Sequence, residues 1–101
     1  MPVPEINPSV YLTKGWCQGA FEKIIDGKRF YCFLGAVNQS YIGIRNFEEG
    51  KTQFDFKRTA NEILIERGFQ DPLVTVWQDA IERTQEEVVE LALEIEERLG
   101  L

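Results

Sequence analysis

Residues 15–40 read GWCQGAFEKIIDGKRFYCFLGAVNQS, and the fold turns on the run Ile24-Ile25-Asp26-Gly27-Lys28-Arg29 within them. Asp-Gly between two strand-like runs signals a two-residue type I′ turn, because both central positions need positive φ. With Asp26-Gly27 at the tip, Ile25 pairs with Lys28, Lys23 with Phe30 and Phe21 with Cys32. Ile24–Arg29 and Glu22–Tyr31 then take the other face. The spacing predicts a hairpin over about residues 20–32. Neither face is purely apolar, so one side should be covered and the other wet. A lone hairpin is barely stable in water and has to lean on helices. The next residues, CFLGAVNQS, set Gly35 and Ala36 inside an apolar run, which predicts a short buried helix over 33–39 with another backbone close against it.

Upstream, Pro2, Pro4 and Pro8 stiffen residues 1–6 into an extended arm. Asn7 suits an N-cap, Pro8 the first helical position and Gly15 the residue past the end, so a helix is expected over 8–14. Tyr11 and Trp16 fall where the apolar contact closing that helix would sit. Downstream, residues 40–56 carry conflicting signals. YIGIRNF and TQFDF read as two strands around a turn at Glu48-Glu49-Gly50-Lys51, or as a loop that carries Phe47 and Phe54 inward. Asp55 suits the cap of a helix over 56–67, in which Phe56, Ala60, Ile63 and Leu64 recur at helical spacing and Phe69 closes on Leu64 around Gly68. Asp71-Pro72 marks a turn, and Leu73 to Trp77 reads as a short extended segment. Thr84-Gln85-Glu86-Glu87 is a capping box. It opens a helix over 85–99 that buries Val88, Leu91, Ala92, Ile95 and Leu99 and leaves its glutamates outside. The sum is one α+β domain over residues 1–101, a hairpin packed on helices near 8–14, 33–39, 56–67 and 85–99.

A chain of 101 residues, 44% apolar and 12% aromatic, has the size and content of one small domain around one core. No apolar run nears the ~20 residues of a membrane span. The first ten residues lack a charged segment followed by an apolar one, the mark of a secretory signal. A cytoplasmic protein with no membrane contact and two reduced cysteines is therefore expected. Charge is uneven: eight basic residues stand against six acidic through Asn61, then three against eleven, within a net charge of −6. Nucleic acid is a poor partner for such a chain. The acidic last helix either solvates the domain or offers Glu90, Glu94 and Glu97 to a basic protein surface.

Histidine is absent, which removes the commonest general base, the commonest zinc ligand and the usual activator of a serine or cysteine nucleophile. Neither GxxxxGK[ST] nor GxGxxG occurs, and the glutamates lack the Asp-x-Asp spacing of a calcium loop. No metal and no cofactor is expected. Cys17 and Cys32 flank the hairpin and admit three readings: small buried apolar residues, a pair that oxidises to a disulfide, or thiols made reactive by Lys14 or Arg29. Trp16 and Trp77 are core aromatics or anchors for a partner, and Tyr41, Phe47 and Phe54 join them as candidate binding residues. Ahead of the last helix, Asp79 pairs with Arg83 while Thr84 caps, or Gln78 and Asp79 face a ligand.

Two blocks carry a resemblance. Gly15-Trp16-Cys17-Gln18-Gly19, Asp26-Gly27 and Cys32-Phe33-Leu34-Gly35-Ala36 form the first. Trp77-Gln78-Asp79, Arg83-Thr84 and Glu87-Val88 form the second. Together they resemble the G-W-x-x-G, D-G, C-x-L-G-A and W-N-D, R-T, E-V pattern of a family of uncharacterised small bacterial and phage proteins. Gln78 stands where that pattern has Asn, the helix before G-W is shortened, and residues 41–56 have no counterpart. The resemblance implies a domain in which the hairpin block and the tryptophan loop pack together, with Trp16, Cys32, Gly35, Trp77, Asp79 and Arg83 in structural roles. It implies no catalytic activity. Under it, Asp79 hydrogen-bonds the backbone of the 16–19 loop, and Arg83 pairs with Asp79 or caps carbonyls. The expected function is a small non-enzymatic protein-interaction or regulatory module, which the phage members extend to an inhibitor of a host or defence protein. The competing expectation is a small ligand-binding protein or thiol-dependent enzyme centred on Cys17 and Cys32. Homo-oligomerisation through the last helix is a third.

Overall fold

Asp26 and Gly27 both take positive φ, 52° and 77°, and between them they set the hairpin in the expected register. In the computed structural model, which describes residues 4–42, 52–69 and 73–101, β1 (Glu22–Ile25) pairs antiparallel with β2 (Lys28–Tyr31). The partners are Glu22–Tyr31, Lys23–Phe30, Ile24–Arg29 and Ile25–Lys28. The Cys32 amide donates to Phe21 O at 3.2 Å and carries the ladder one step further. On the other edge of β2, Tyr31 N donates to Gly15 O and Cys17 N to Tyr31 O, a short parallel bridge to the Trp16 segment. The hairpin is barer than the one-sided coverage expected of it: all of β1 is exposed, and burial begins at Tyr31. It is held at its base, not along a face.

Five helices make up the rest: α1 (Pro8–Lys14), α2 (Phe33–Ser40), α3 (Gln53–Glu66), α4 (Val74–Gln78) and α5 (Gln85–Leu99). Leu12, Phe33, Phe56, Ile63, Leu64, Leu91 and Ile95 fill the core where α1 and α3 each pack on both α2 and α5. The chain is thus α+β, a two-stranded antiparallel hairpin on a helical body. Gly35 is fixed by contact: a Cβ there would lie 2.0 Å from Phe21 O, so the first turn of α2 sits directly against the root of the hairpin. Gly15 is also a close-approach glycine. Its φ of −177° is extended, so it does not close α1 with a left-handed residue, and a Cβ there would lie 2.8 Å from Arg29 O. Tyr11 accordingly packs edge-on against Tyr31, ring centroids 5.4 Å apart.

Capping partners correct several expectations. The helix expected from Phe56 starts at Gln53, because Thr52 and Asp55 form a full capping box; Asp55 is its third helical residue, not its cap. TQFDF is therefore helical from Gln53 on, which removes the returning strand, and Phe54 points outward at 70% exposure. Leu73–Trp77 is not extended. Asn61 Oδ1 in α3 accepts from Val74 N at 3.1 Å and so supplies the cap for a helical turn that buries Val74 and Trp77. Asn7 precedes α1 as expected but makes no side-chain cap bond. That role falls to Glu96, whose carboxylate accepts from Ser9 N at 2.9 Å and from Ser9 Oγ at 2.7 Å. Glu96 is consequently buried, contrary to the expectation that every glutamate of the last helix lies outside. Gln85 at the other end of α5 donates to Leu12 O at 2.8 Å and Thr13 O at 3.3 Å. One helix caps both ends of another.

The remaining helix signals appear as read. Thr84 and Glu87 form both bonds of their capping box. Phe69 N donates to Leu64 O and Gly68 N to Ile65 O, closing α3 at Gly68. Val88, Leu91, Ala92 and Ile95 are buried along α5, while Leu99, expected in the same stripe, is only half-buried. Phe47, the turn at 48–51, the Asp71-Pro72 turn and the first three residues of the arm lie outside the described residues.

Candidate functional site

α4 ends on Gln78, which is 2% exposed and uses every bonding position its amide has. Oε1 accepts from Trp16 Nε1 at 2.5 Å and from Phe33 N at 2.9 Å. Nε2 donates to Cys17 O at 3.2 Å and to Asp79 Oδ1 at 2.7 Å. Phe33 N is the first amide of α2, one of the orphan donors every helix start leaves, so Gln78 caps α2 from a distance of 45 residues in sequence. Cys32 Sγ assists by accepting from Gly35 N at 3.3 Å. The Trp16 loop is held to α4 a second time by Gln18, whose Nε2 donates to Gln78 O at 2.9 Å and Ala80 O at 2.8 Å.

Asp79 makes the loop contact expected of it: Gly19 N donates to its Oδ1 at 3.2 Å. Arg83 takes the second of its two expected roles. Its Nε donates to Trp77 O at 2.9 Å, its guanidinium lies 4.3 Å from the centroid of the Trp77 ring, and Nη1 pairs with Glu87 at 3.0 Å. The hairpin block and the tryptophan loop are therefore one bonded unit.

A cleft of about 270 Å³ opens beside this unit. Gly19, Ala20 and Phe21 form one wall, Cys32 and Leu34 the second, and Thr75, Gln78 and Asp79 the third. Burial pushes the Cys32 thiol up, with a smaller push from Asp79. Burial likewise raises Cys17, followed by the neighbouring Cys32, and the weaker opposing pull of Lys23 does not reverse it. Cys17 Sγ donates to Ala20 O and Phe30 O, each at 3.5 Å. Two protonated thiols are poor nucleophiles, since the thiolate is the reactive form. Both cysteines are free and buried. Among the described residues no group of three or more metal-ligating side chains comes together.

Of the residues singled out in the sequence, Cys32 and Asp79 line the cleft, and Trp16, Trp77 and Arg83 lie in the network behind it. Gly35 serves the α2 contact, and Thr84 caps α5. Tyr41 is in the core at 5% exposure; burial, then Asp55 and Glu96, push its hydroxyl up to about 12. Phe54 stands on α3 with Lys57 Nζ 6.0 Å from its ring centroid, away from the cleft lining. Glu94 is held by Arg67 at 2.7 Å and Arg98 at 3.0 Å, while Glu90 and Glu97 are exposed on α5. Phe21, Leu34 and Thr75 line the cleft without having been singled out as site residues. Leu34 falls inside the first matched block and Phe21 in the gap between its parts, while Thr75 lies in a segment whose sequence reads as extended.

Fold and site define a small α+β domain built around a buried glutamine lock with a shallow cleft at its side. The chain belongs to the family of unknown function DUF6197, whose family model matches residues 10–98. No curated protein matches the chain, and no solved structure does. Among the described residues no helix is long and apolar enough to cross a membrane.

Proposed function

We propose that this protein is a small non-enzymatic binding module that recognises another protein through the cleft beside Gln78 and Asp79. The observation that carries this reading is the state of the cleft's polar groups. The amide of Gln78 is fully bonded inside the domain, and both thiols are held protonated by burial. The cleft thus offers shape and contact with no thiolate nucleophile, and its one carboxylate, Asp79, accepts from Gly19 N and Gln78 Nε2 through Oδ1. In its lining, apolar surface is left in water: Phe21 is 61% exposed and stands beside Ala20 and Leu34. Exposed aromatic surface in the wall of a concavity favours a docking role. A protein with a basic surface is the partner that the acidic balance of the chain favours. Inhibition of a host or defence protein is the finer form of the proposal, supported by the resemblance to phage proteins.

Site-specific photo-crosslinking tests the proposal. A photoreactive residue at Phe21 should give a discrete adduct in cells, and the same residue at Phe54 should not. Equal adducts from both positions, or none from Phe21, would overturn it. Rapid alkylation of Cys32 in the native protein would instead favour the thiol-dependent enzyme.

A further inference from the structure

We infer that the cleft receives a cationic side chain, arginine or lysine, from the partner; this rests on reading the cleft as the docking site. Its lining holds one carboxylate, Asp79, and one hydroxyl, Thr75, and no lysine or arginine. Phe21, Leu34 and Ala20 supply apolar wall. Asp79 spends Oδ1 on Gly19 N and Gln78 Nε2. Among the described residues no hydrogen bond or ion pair engages Oδ2, and the arginine nearest in sequence, Arg83, is committed to Trp77 O and Glu87. The Asp79 charge reaches into the site, because it opposes ionisation of both cysteines.

An unengaged carboxylate oxygen beside apolar wall fits a side chain that is aliphatic along its stem and positive at its head. The exposed Phe21 ring adds a face that attracts cations. A volume of about 270 Å³ is below the usual range of drug-sized ligand sites, roughly 300–1,000 Å³. That is room for one side chain better than for a cofactor. An acidic side chain would meet Asp79 with like charge, and a purely apolar one would strip water from Oδ2 without replacing it.

The probes are n-butylguanidinium chloride and its uncharged counterpart n-butylurea, titrated into the full chain at matched ionic strength and followed by amide NMR. Saturable shifts are expected at Gly19, Ala20 and Leu34. The guanidinium should bind about fivefold tighter than the urea, the upper end for a partly exposed ion pair. Asp79→Asn keeps an oxygen for Gly19 N and Gln78 Nε2, so it should retain the fold and abolish that preference. Equal binding of both probes to the unmodified protein overturns the cationic inference and leaves the docking proposal standing, and this arm needs no variant. A preference that survives in Asp79→Asn also overturns it. Absence of shifts with both probes overturns it too, and the Phe21 crosslink then decides separately whether the surface docks a protein.

Discussion

Gln78 and Glu96 are two long polar side chains drawn into the core, and each caps a helix other than its own. They do it with different chemistry. Around Gln78 the partners are mixed: Trp16 Nε1 and Phe33 N donate, while Cys17 O and Asp79 Oδ1 accept. An amide supplies two donor and two acceptor positions at once. Around Glu96 both contacts are donors, Ser9 N and Ser9 Oγ, at the positive end of α1. A carboxylate accepts both, and its charge suits that end of a helix. The residue type at a buried polar position thus follows the balance of donors and acceptors it meets. Gln78 holds the wall of the cleft, whereas Glu96 is not among the residues that line it.

The comparison breaks most directly at Gln78. Gln78→Ala orphans two buried donors and leaves a void, and should cost about 4 kcal/mol in urea unfolding. It should also shift the amides of the 16–21 loop, which Glu96 variants should leave in place. A loss under about 1 kcal/mol would mean that water replaces the amide and that the lock is not structural. Glu96→Gln keeps one acceptor for Ser9 but presents donors where a carboxylate oxygen stood, and should cost about 2 kcal/mol. Should it cost more than Gln78→Ala, charge rather than bond count ranks these two sites.

The smallest effect is expected at Tyr41, which lies in the field of Glu96. Its hydroxyl has no partner among the described residues, so Tyr41→Phe should change stability by less than about 1 kcal/mol at neutral pH. Its pKa is raised from 10 to about 12 in the folded protein. The unfolded chain therefore releases the proton first as pH rises. The stability this group contributes is complete below pH 10 and is lost between pH 10 and about 12. Tyr41→Phe should flatten that alkaline limb in thermal melts followed against pH. An unchanged limb would assign it to other groups.

The hairpin and the last helix were legible because their signals are local. Asp26-Gly27 sets its own register, and Thr84 reaches Glu87 three residues on. The Thr52–Asp55 box was equally local, yet the alternation in TQFDF suggested a strand, and the box won because it satisfies two backbone groups at once. α4 was illegible for the opposite reason: its cap is Asn61, thirteen residues away on another helix. The cleft was half legible. Two of the motif residues that line it, Cys32 and Asp79, stand out in the sequence. The amide that joins their blocks was weighed as ligand-facing, because its partners are 45 to 62 residues distant and no periodicity reports them.

The two caps of α1 carry a consequence for how the chain is made. Ser9 waits for Glu96, 87 residues later, and Leu12 for Gln85, 73 residues later. During synthesis α1 emerges early and stays frayed, since a helix of seven residues does not hold alone. The domain closes when the far end of α5 clears the exit tunnel, and a nascent chain stalled before Gln85 exposes Leu12 and the faces of α1 and α3 that α5 covers to chaperones.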